Sequence, residues 1–298
     1  MQQVHLYPGQ MGRNQHRLGP HVIGTRIVVR RVIPHTGEVT DTLGVCESWT
    51  HTDCVLRLHD GSSLQIALGD IITGKPVPPR ASARQRVPAR ECELRVLVMW
   101  PSLVTEPVGE WLLRTETAPV GRRRKRANSA LAYGDPGCSM QEAVAHLRRF
   151  YADLPVLVQA ESSDSRFEDW ECIGANHFMV ASLPSALRSI PPSTHQVDLF
   201  VDGPRAIAKV GEVAIAEAAI EGDWIGVHGL SVGAEQRRTG LARALMAELL
   251  DWGGSLGATT TWLHVETDNQ AAIALYEAMN YRVHHSNRYF KAPLEASE

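Results

Sequence analysis

The alternation of apolar and polar positions changes in kind along this chain. From Gly24 to Leu68, short alternating runs separated by turn residues predict four or five strands, and the Asp60 and Gly61 pair between two runs is typical of a hairpin. From Glu91 onward, alternating runs are interspersed with longer segments of helical spacing. The pattern predicts an α+β protein preceded by a small all-β barrel.

The clearest pattern runs from Val227 to Met246. A short alternating run ends at a loop that starts with Gly233, and helical spacing resumes after Gly240. The loop carries Arg237 and Arg238 together with small residues. Because the first N–H groups of a helix are unpaired and lie at its positive end, such a loop binds anions. The segment is predicted to hold a diphosphate.

A second strand and helix follow this loop, and the two together resemble the acetyl-coenzyme A (acetyl-CoA) site of GNAT N-acetyltransferases. The motif residues are Arg237, Gly240 and Ala242, then Leu263, Val265, Asn269, Ala272, Leu275, Tyr276, Asn280 and Tyr281. Other phosphate-binding motifs are missing from the sequence, namely the Gly-x-x-x-x-Gly-Lys-Ser/Thr loop and a Gly-x-Gly-x-x-Gly after a strand.

The resemblance implies direct attack of a primary amine on the thioester of acetyl-CoA, which serves as co-substrate. Tyr276 takes the place of the general acid, since a phenol with a pKa of about 10 stays protonated at neutral pH. A core-packed aromatic is the alternative for this residue. Asn269 is expected to cap its helix and to contact the cofactor. The implied cofactor-binding residues are Leu230, Ser231, Val232, Arg237, Arg238, Thr239, Gly240, Leu241, Ala242, Arg243, Asn269, Ala272 and Tyr276.

The base that deprotonates the incoming ammonium is less clearly marked. Some family members carry a carboxylate on the central strand, but here that place falls at about Gly226. His228 projects to the same face two residues later and is the predicted catalytic base. Asp223, Glu266 and a chain of water molecules remain alternatives.

The middle of the chain repeats the order of elements found at its end. A strand at 127–131, a loop at 134–137, a helix over Met140–Tyr151, a strand at 155–160, a helix at 165–173 and a strand at 177–183 are predicted. This copy is expected to be degenerate, since it lacks the paired arginines and has Trp170 at the place of Tyr276. In the second copy only strands fit between 195 and 217, where a GNAT fold usually has two helices. Either the first copy supplies this wall or the acceptor site is open.

The order of segments resembles an actinobacterial GNAT subfamily with an N-terminal Src-homology-3-like barrel and a degenerate tandem GNAT repeat. The predicted segments are a mobile tail at 1–20, the barrel at 21–74, a Pro-rich basic linker at 75–90, the degenerate unit at 91–192 and the catalytic unit at 193–298. The barrel is interpreted as a stability or assembly module, with a reader of nucleic acid or peptide as the alternative.

Net charge and cysteine content limit the classes of partner that the sequence suggests. A net charge of −3 argues against indiscriminate polyanion binding, although a run of five basic residues spans 122–126. Five scattered cysteines without a C-x-x-C suggest no metal site, and no apolar run approaches the roughly 20 residues of a membrane span. A soluble, cytoplasmic protein without a membrane partner is expected.

Two classes of function fit the sequence. The leading hypothesis is an acetyl-CoA-dependent N-acetyltransferase, and the alternative is a non-catalytic acyl-CoA sensor or nucleic-acid-associated regulator. A nucleic-acid partner is the less favoured of these. The acceptor amine, on a small molecule or a protein, is not encoded in a recognisable motif.

Overall fold

The computed structural model describes residues 18–58, 60–77, 82–118 and 123–293. The chain divides into two compact units, one up to Ala81 and one from Ser82. Most of the expected tail, residues 1–17, lies outside the described residues. Leu18, at the end of that tail, is buried in the core of the first unit.

The first unit is a five-stranded antiparallel sheet in the order β4-β3-β2-β1-β5. Its strands are β1 (Arg26–Val32), β2 (Val39–Trp49), β3 (Asp53–Arg57), β4 (Ser63–Ala67) and β5 (Ile71–Pro76). The predicted hairpin is confirmed, since β3 and β4 pair with Arg57 opposite Ser63 and Gly61 adopts a φ of 86°. The fifth strand extends into the segment interpreted as a linker. Closure into a Src-homology-3-like barrel stays a prediction.

The rest of the expected linker differs from an extended spacer. Residues 78–81 lie outside the described residues, but a 3₁₀ turn at Arg84–Arg86 leads into α1 (Ala89–Leu94) and a second 3₁₀ segment. Arg84 donates to the hydroxyl of Thr260 at 3.0 Å, and Cys92 and Val96 are fully buried. The apolar residues of this stretch follow helical spacing, so burial outweighs the extended preference of its prolines.

The second unit is built on one eleven-stranded sheet, in the order β11-β12-β13-β14-β15-β10-β16-β9-β8-β7-β6. Its strands are β6 (Leu103–Val108), β7 (Trp111–Glu116), β8 (Ala130–Leu131), β9 (Leu157–Glu161), β10 (Glu171–Ser182), β11 (Asp198–Asp202), β12 (Arg205–Val210), β13 (Ala214–Glu221), β14 (Trp224–Val232), β15 (Thr260–Glu266) and β16 (Arg282–Lys291). Its other helices are α2 (Met140–Tyr151), α3 (Leu183–Ser189), α4 (Leu241–Ser255) and α5 (Gln270–Ala278).

The two halves of this sheet exchange a strand. β10 follows β9 in the chain but lies between β15 and β16, whereas β16 lies between β10 and β9. On each side of this exchange lies one parallel pair, β14 with β15 and β8 with β9. Moving outward from the exchange, both sides therefore show the same succession of strands.

The predicted elements of the second unit are mostly present. The helix over Met140–Tyr151 and the three strands between 195 and 217 are confirmed. The predicted helix at 165–173 is wrong, because the chain forms turns there and enters β10 at Glu171. Phe167 is fully buried and stacks on Phe290 at a centroid distance of 5.6 Å, which fixes the turn against the sheet.

A buried polar network joins the two halves at the exchanged strands. The Glu93 carboxylate of α1 accepts hydrogen bonds from Gln159 Nε2 (2.7 Å), Asn287 Nδ2 (2.8 Å), His264 Nε2 (2.9 Å) and His285 Nε2 (2.9 Å). Burial alone raises the pKa of Glu93, but the two histidines hold it well below its ordinary value. Since Gln159 lies on β9 and His264 on β15, the carboxylate ties both halves to α1.

Among the described residues, no helix is long and apolar enough to cross a membrane. Over the same residues, no group of three or more His, Cys, Asp or Glu side chains is placed to hold a metal ion.

Candidate active site

The parallel strands β14 and β15 separate part-way along their length. They pair only where Trp224–Val227 faces Thr260–Leu263, although both strands continue further. A bulge in the pairing with β13, between Ile215 and Glu217, and a positive φ of 66° at Gly229 bend β14 away. A Cβ at Gly229 would lie 3.0 Å from the Glu217 carboxylate, so the bend requires glycine. The divergence leaves an open edge on β14 beyond Val227.

The loop after β14 forms an open anion cradle at the N-terminus of α4. Arg238 and Gly240 adopt left-handed conformations, and α4 has no side-chain cap and no acidic residue in its first turn. Within the described part of the chain, no hydrogen bond uses the backbone N–H groups of residues 238–243. These donors border a cavity of about 600 Å³, which Arg237, Arg243 and the face of α5 also line. Unpaired N–H groups, a helix N-terminus and arginines together suit a diphosphate.

Tyr276 lies on α5 and is 7% exposed, within the main core of the second unit. Its ring contacts that of Tyr281 at a centroid distance of 5.9 Å, and its hydroxyl forms no hydrogen bond with the described residues. Burial raises the pKa of Tyr276 to about 12, and the positive charge of Arg126 partly offsets the rise. The phenol is therefore protonated at neutral pH.

On the other side of β14 lies a cleft of about 480 Å³ that contains His228 and Glu217. His228 Nε2 is 3.8 Å from Glu217 Oε2, and Arg124 Nη2 is 3.2 Å from Glu217 Oε1. Burial, together with the charges of Arg124 and Arg126, lowers the pKa of His228 to about 3. The imidazole is neutral at pH 7 and is a weak base.

The wall of this cleft comes from the first half of the second unit. Met99, Trp100, Ser102 and Glu116 line the cleft opposite β13 and β14. Trp100 packs on His228 with ring centroids 5.6 Å apart. Trp100 Nε1 and His228 Nδ1 are buried without a hydrogen-bond partner among the described residues. In place of the missing helices between 195 and 217, residues 99–102 together with Glu116, Ala118 and Arg124 line this side of the cleft.

Comparison with a solved structure identifies the fold. A GCN5-related N-acetyltransferase from Kribbella flavida covers 70% of this chain and 96% of its own, with a TM-score of 0.54 and 15% sequence identity. The fold is that of GCN5-related N-acetyltransferases, the GNAT fold. At this identity the likeness concerns fold alone.

Sequence comparisons find similar proteins over the C-terminal part of the chain. Residues 185–290 match a family model described as "Probable histone acetyltransferase Rv0428c C-terminal". The protein called "Probable histone acetyltransferase Rv0428c" from Mycobacterium tuberculosis is 36% identical over 98 residues, which is 31% of this chain and 32% of that protein. The "[Ribosomal protein bS18]-alanine N-acetyltransferase" of Escherichia coli is 34% identical over 83 residues, 28% of this chain and 51% of that enzyme. The chain spans about a third to a half of the length of these relatives. Their names describe acetyltransferases, which agrees with the enzyme class predicted from the sequence.

The GNAT fold brings most of the expected cofactor residues together. Those that line the cradle are Val232, Arg237, Arg238, Gly240, Leu241, Ala242, Arg243 and Ala272. Asn269 caps α5 as expected, because its Oδ1 accepts from the Ala272 N–H at 3.1 Å. Thr239 turns back on its own loop and donates to the Gln236 carbonyl at 2.7 Å. Leu230 and Ser231 lie on the free part of β14, beside the opening between the strands.

The two other carboxylates considered as the base, Asp223 and Glu266, lie in different places in the structure. Asp223 precedes β14 and accepts from the Thr259 hydroxyl at 2.6 Å. It stands five residues before His228, about 17 Å along a strand, and so lies outside the cleft. Glu266, at the end of β15, pairs with Lys125 at 3.6 Å and lines an adjoining cavity.

Sequence reasoning missed Glu217, Trp100 and Arg124. Glu217 could have been predicted from the sequence, because β13 and β14 form a hairpin around Gly222 and Asp223. Counting back from that turn places Glu217 opposite His228, as the register shows. Trp100 and Arg124 come from a distant part of the chain, and no local pattern assigns them to this cleft.

Proposed function

We propose that this chain is an acetyl-CoA-dependent N-acetyltransferase that transfers an acetyl group to a primary amine. The observation that carries the proposal is the run of unpaired N–H groups over residues 238–243, which fits a diphosphate. The opening between β14 and β15 has room for the extended pantetheine arm beside the free edge of β14. Bound there, acetyl-CoA supplies the thioester that the amine attacks.

Tyr276 is proposed as the proton donor to the departing sulfur. Attack by the amine nitrogen forms the C–N bond of the amide, the C–S bond breaks, and the phenol gives its proton to the thiolate. With a pKa of about 12, Tyr276 holds its proton until negative charge develops nearby. Backbone N–H groups of Leu230–Val232 are proposed to bind the developing oxyanion.

Glu217 is proposed to take the proton from the incoming ammonium in place of His228. An imidazole with a pKa of about 3 accepts protons poorly, and the Glu217 carboxylate lies in the same cleft with Arg124 at 3.2 Å. His228 Nε2 lies 3.8 Å from Glu217 Oε2, beyond hydrogen-bond distance, so the neutral imidazole is a neighbour of the carboxylate and not its ion-pair partner. A chain of water molecules from Glu217 to the amine completes the path.

The organisation of the chain supports further parts of this proposal. We propose that the two halves of the eleven-stranded sheet are copies of one GNAT-like unit, with the first copy degenerate, because strand order matches on both sides of the exchange. The antiparallel order of the first unit is compatible with a Src-homology-3-like barrel. The acceptor amine belongs to a small molecule or a protein. The names of both relatives above refer to protein acceptors.

The test is release of free coenzyme A from acetyl-CoA in the presence of a panel of primary amines. The proposal expects turnover that depends on the amine and produces its N-acetyl derivative, identified by mass spectrometry. Binding of acetyl-CoA without turnover of any amine in the panel would favour the sensor alternative. Absence of acetyl-CoA binding in calorimetry would remove both.

A further inference from the structure

The basic run that no predicted motif explains lines, over its described residues 123–126, a cavity of the second unit. Arg123, Arg124, Lys125 and Arg126 border a cavity of about 330 Å³ together with Asn176, Glu266 and Tyr289. Arg124 also lines the larger cleft that holds His228, so the two cavities adjoin. These four side chains therefore lie next to the cleft in which the acceptor is proposed to bind.

Three of the four cations are already paired. Arg123 Nη1 donates to Asn128 Oδ1 at 3.0 Å, Arg124 pairs with Glu217 at 3.2 Å, and Lys125 pairs with Glu266 at 3.6 Å. Arg126 is half-buried and forms no ion pair or hydrogen bond with any described residue. Two carboxylates face four cations, which leaves an excess of positive charge in the cavity.

Arg126 lines a cavity next to the cleft of the reacting groups, because that cavity and the His228 cleft share Arg124. In agreement with this placement, the charge of Arg126 lowers the pKa of both Tyr276 and His228. The phosphates of acetyl-CoA do not account for this cation. They fit the cradle at residues 237–243, and that cavity shares no lining residue with the basic one. The partner of Arg126 is therefore expected on the acceptor side.

We propose that the acceptor is a small amine of amino-acid size that carries a carboxylate, and that Arg126 binds this carboxylate while the amine faces the thioester. The inference rests on the proposed acetyltransferase function. A guanidinium offers paired N–H donors that match a carboxylate, and such charge-assisted bonds are about twice as strong as neutral ones. Acceptors with several positive charges, such as polyamines, aminoglycosides and lysine-rich peptides, are disfavoured by the same excess charge.

The experiment compares matched acceptors in the wild type and in Arg126→Gln. γ-Aminobutyrate and its amide, and β-alanine and its amide, are assayed by coenzyme A release, and the ratio of kcat/KM for acid over amide is formed for each pair. The ratio in Arg126→Gln divided by that in the wild type cancels the intrinsic reactivity of the amines. Loss of a charge-assisted bond is expected to lower this ratio roughly ten- to hundredfold. Arg126→Lys is expected to retain part of the preference.

Arg188→Gln is the matched control, because Arg188 is exposed on α3 and lines neither cavity. Its ratio is expected to equal that of the wild type. An equal loss for acid and amide in Arg126→Gln would mean that Arg126 acts on the thioester, which overturns the inference. Better turnover of spermidine or of a lysine-rich peptide than of any carboxylate-bearing amine would overturn it as well.

Equilibrium binding separates this inference from the proposed function. The acid and amide of each pair are titrated into protein saturated with coenzyme A, and the affinities are compared by calorimetry. Acid-selective binding that Arg126→Gln abolishes supports the carboxylate site even if no amine is acetylated. Equal binding of acid and amide contradicts the site even if turnover is robust. Selective binding of inorganic phosphate at Arg126, without carboxylate binding, would replace the carboxylate with a phosphorylated ligand and reject the proposal.

Discussion

The second unit contains two strand–loop–helix segments of the same topology, and their helix N-termini differ in what satisfies them. At α2, Ser139 and Glu142 form a reciprocal capping box, and the Gly137 N–H donates to Asp135 Oδ1 at 2.8 Å. The Asp135 N–H in turn donates to Glu110 Oε2 at 2.7 Å. At α4, the corresponding N–H groups have no partner among the described residues.

The comparison shows how one fold element becomes structural in one place and a candidate binding site in another. At α2 the Ser139 hydroxyl accepts from the Glu142 N–H, and the carboxylates of Glu142 and Asp135 accept from the preceding N–H groups and place negative charge where a phosphate would have to lie. The α2 loop is also closed by packing, since a Cβ at Gly109 would come within 2.3 Å of Pro136. At α4 a left-handed Gly240 and three arginines keep the same position open and positive. A single cofactor site per chain is therefore predicted.

The largest expected effect concerns Tyr276, and Trp170 in the first half of the sheet serves as its comparison. Tyr276→Phe keeps the buried ring but removes the proton donor, so turnover should fall roughly 10²- to 10⁴-fold while acetyl-CoA affinity is kept. Coenzyme A release with an amine identified in the panel measures this. The loss should shrink with a thioester whose leaving thiol is more acidic.

The control for that prediction is Trp170→Phe, at the place that the sequence pattern aligned with Tyr276 but that lies in a turn before β10 and not on a helix. Trp170 packs against Phe167 at a centroid distance of 5.1 Å, so this variant is expected to lose stability and to keep turnover within about threefold. Wild-type rates in Tyr276→Phe would remove the phenol from the mechanism.

The next effect concerns the two glycine loops. Gly240→Val should weaken acetyl-CoA binding at least about a hundredfold, because a branched side chain disfavours a φ of 94° and projects into the cradle. Gly137→Ala, at a φ of 70°, should lower the melting temperature through backbone strain and leave the dissociation constant within about twofold. Calorimetry measures affinity and stoichiometry. Two equivalent sites per chain would contradict the interpretation that the N-terminus of α2 is closed to a diphosphate.

How far the sequence predicts these features depends on the range of the interactions. The α4 loop and the capped start of α5 follow from local residues, because cradle and cap are formed within a few positions of each other. The exchange of β10 and β16 joins residues over 100 positions apart, such as His177 and Ser286, and no local pattern encodes it. The same holds for Glu93, whose partners lie on three strands. Arg124 and Trp100 reach the cleft only through this long-range packing.

The buried histidines make a prediction about acid stability. Burial lowers the pKa of His264 to about 4 and that of His228 to about 3, and both have a value of about 6.5 when unfolded. Because protonation favours the unfolded chain, stability should be constant above pH 6.5 and fall from pH 6.5 to about 4 for His264 and to about 3 for His228. For His264 alone the loss at pH 5 is about 2 kcal/mol, since one pKa unit is about 1.4 kcal/mol.

Glu93 acts in the same direction at lower pH. Its folded pKa is depressed, so its contribution is complete above pH 4.5 and is lost as pH falls further. Tryptophan fluorescence during thermal unfolding should show a melting temperature several degrees lower at pH 5 than at pH 7.5. A flat profile between these values would mean that the histidines do not remain neutral in the folded unit.

The smallest effect is expected on removal of the first unit. That unit has its own core around Ile27, Val29 and Leu56, and the division of the chain falls at residue 81. A chain beginning at Ser82 should therefore fold and bind acetyl-CoA within about twofold of the full chain. The shortened chain must begin before Arg84, because Arg84 donates a hydrogen bond to Thr260 and the following helix α1 carries Glu93. A chain beginning at Pro101 removes the carboxylate that His264 and His285 donate to, so it is expected not to fold.

If the chain from Ser82 folds, as judged by its melting temperature, yet binds acetyl-CoA tenfold more weakly, then the first unit contributes about 1.4 kcal/mol to cofactor binding. In that case the cradle comparison would describe only part of the site.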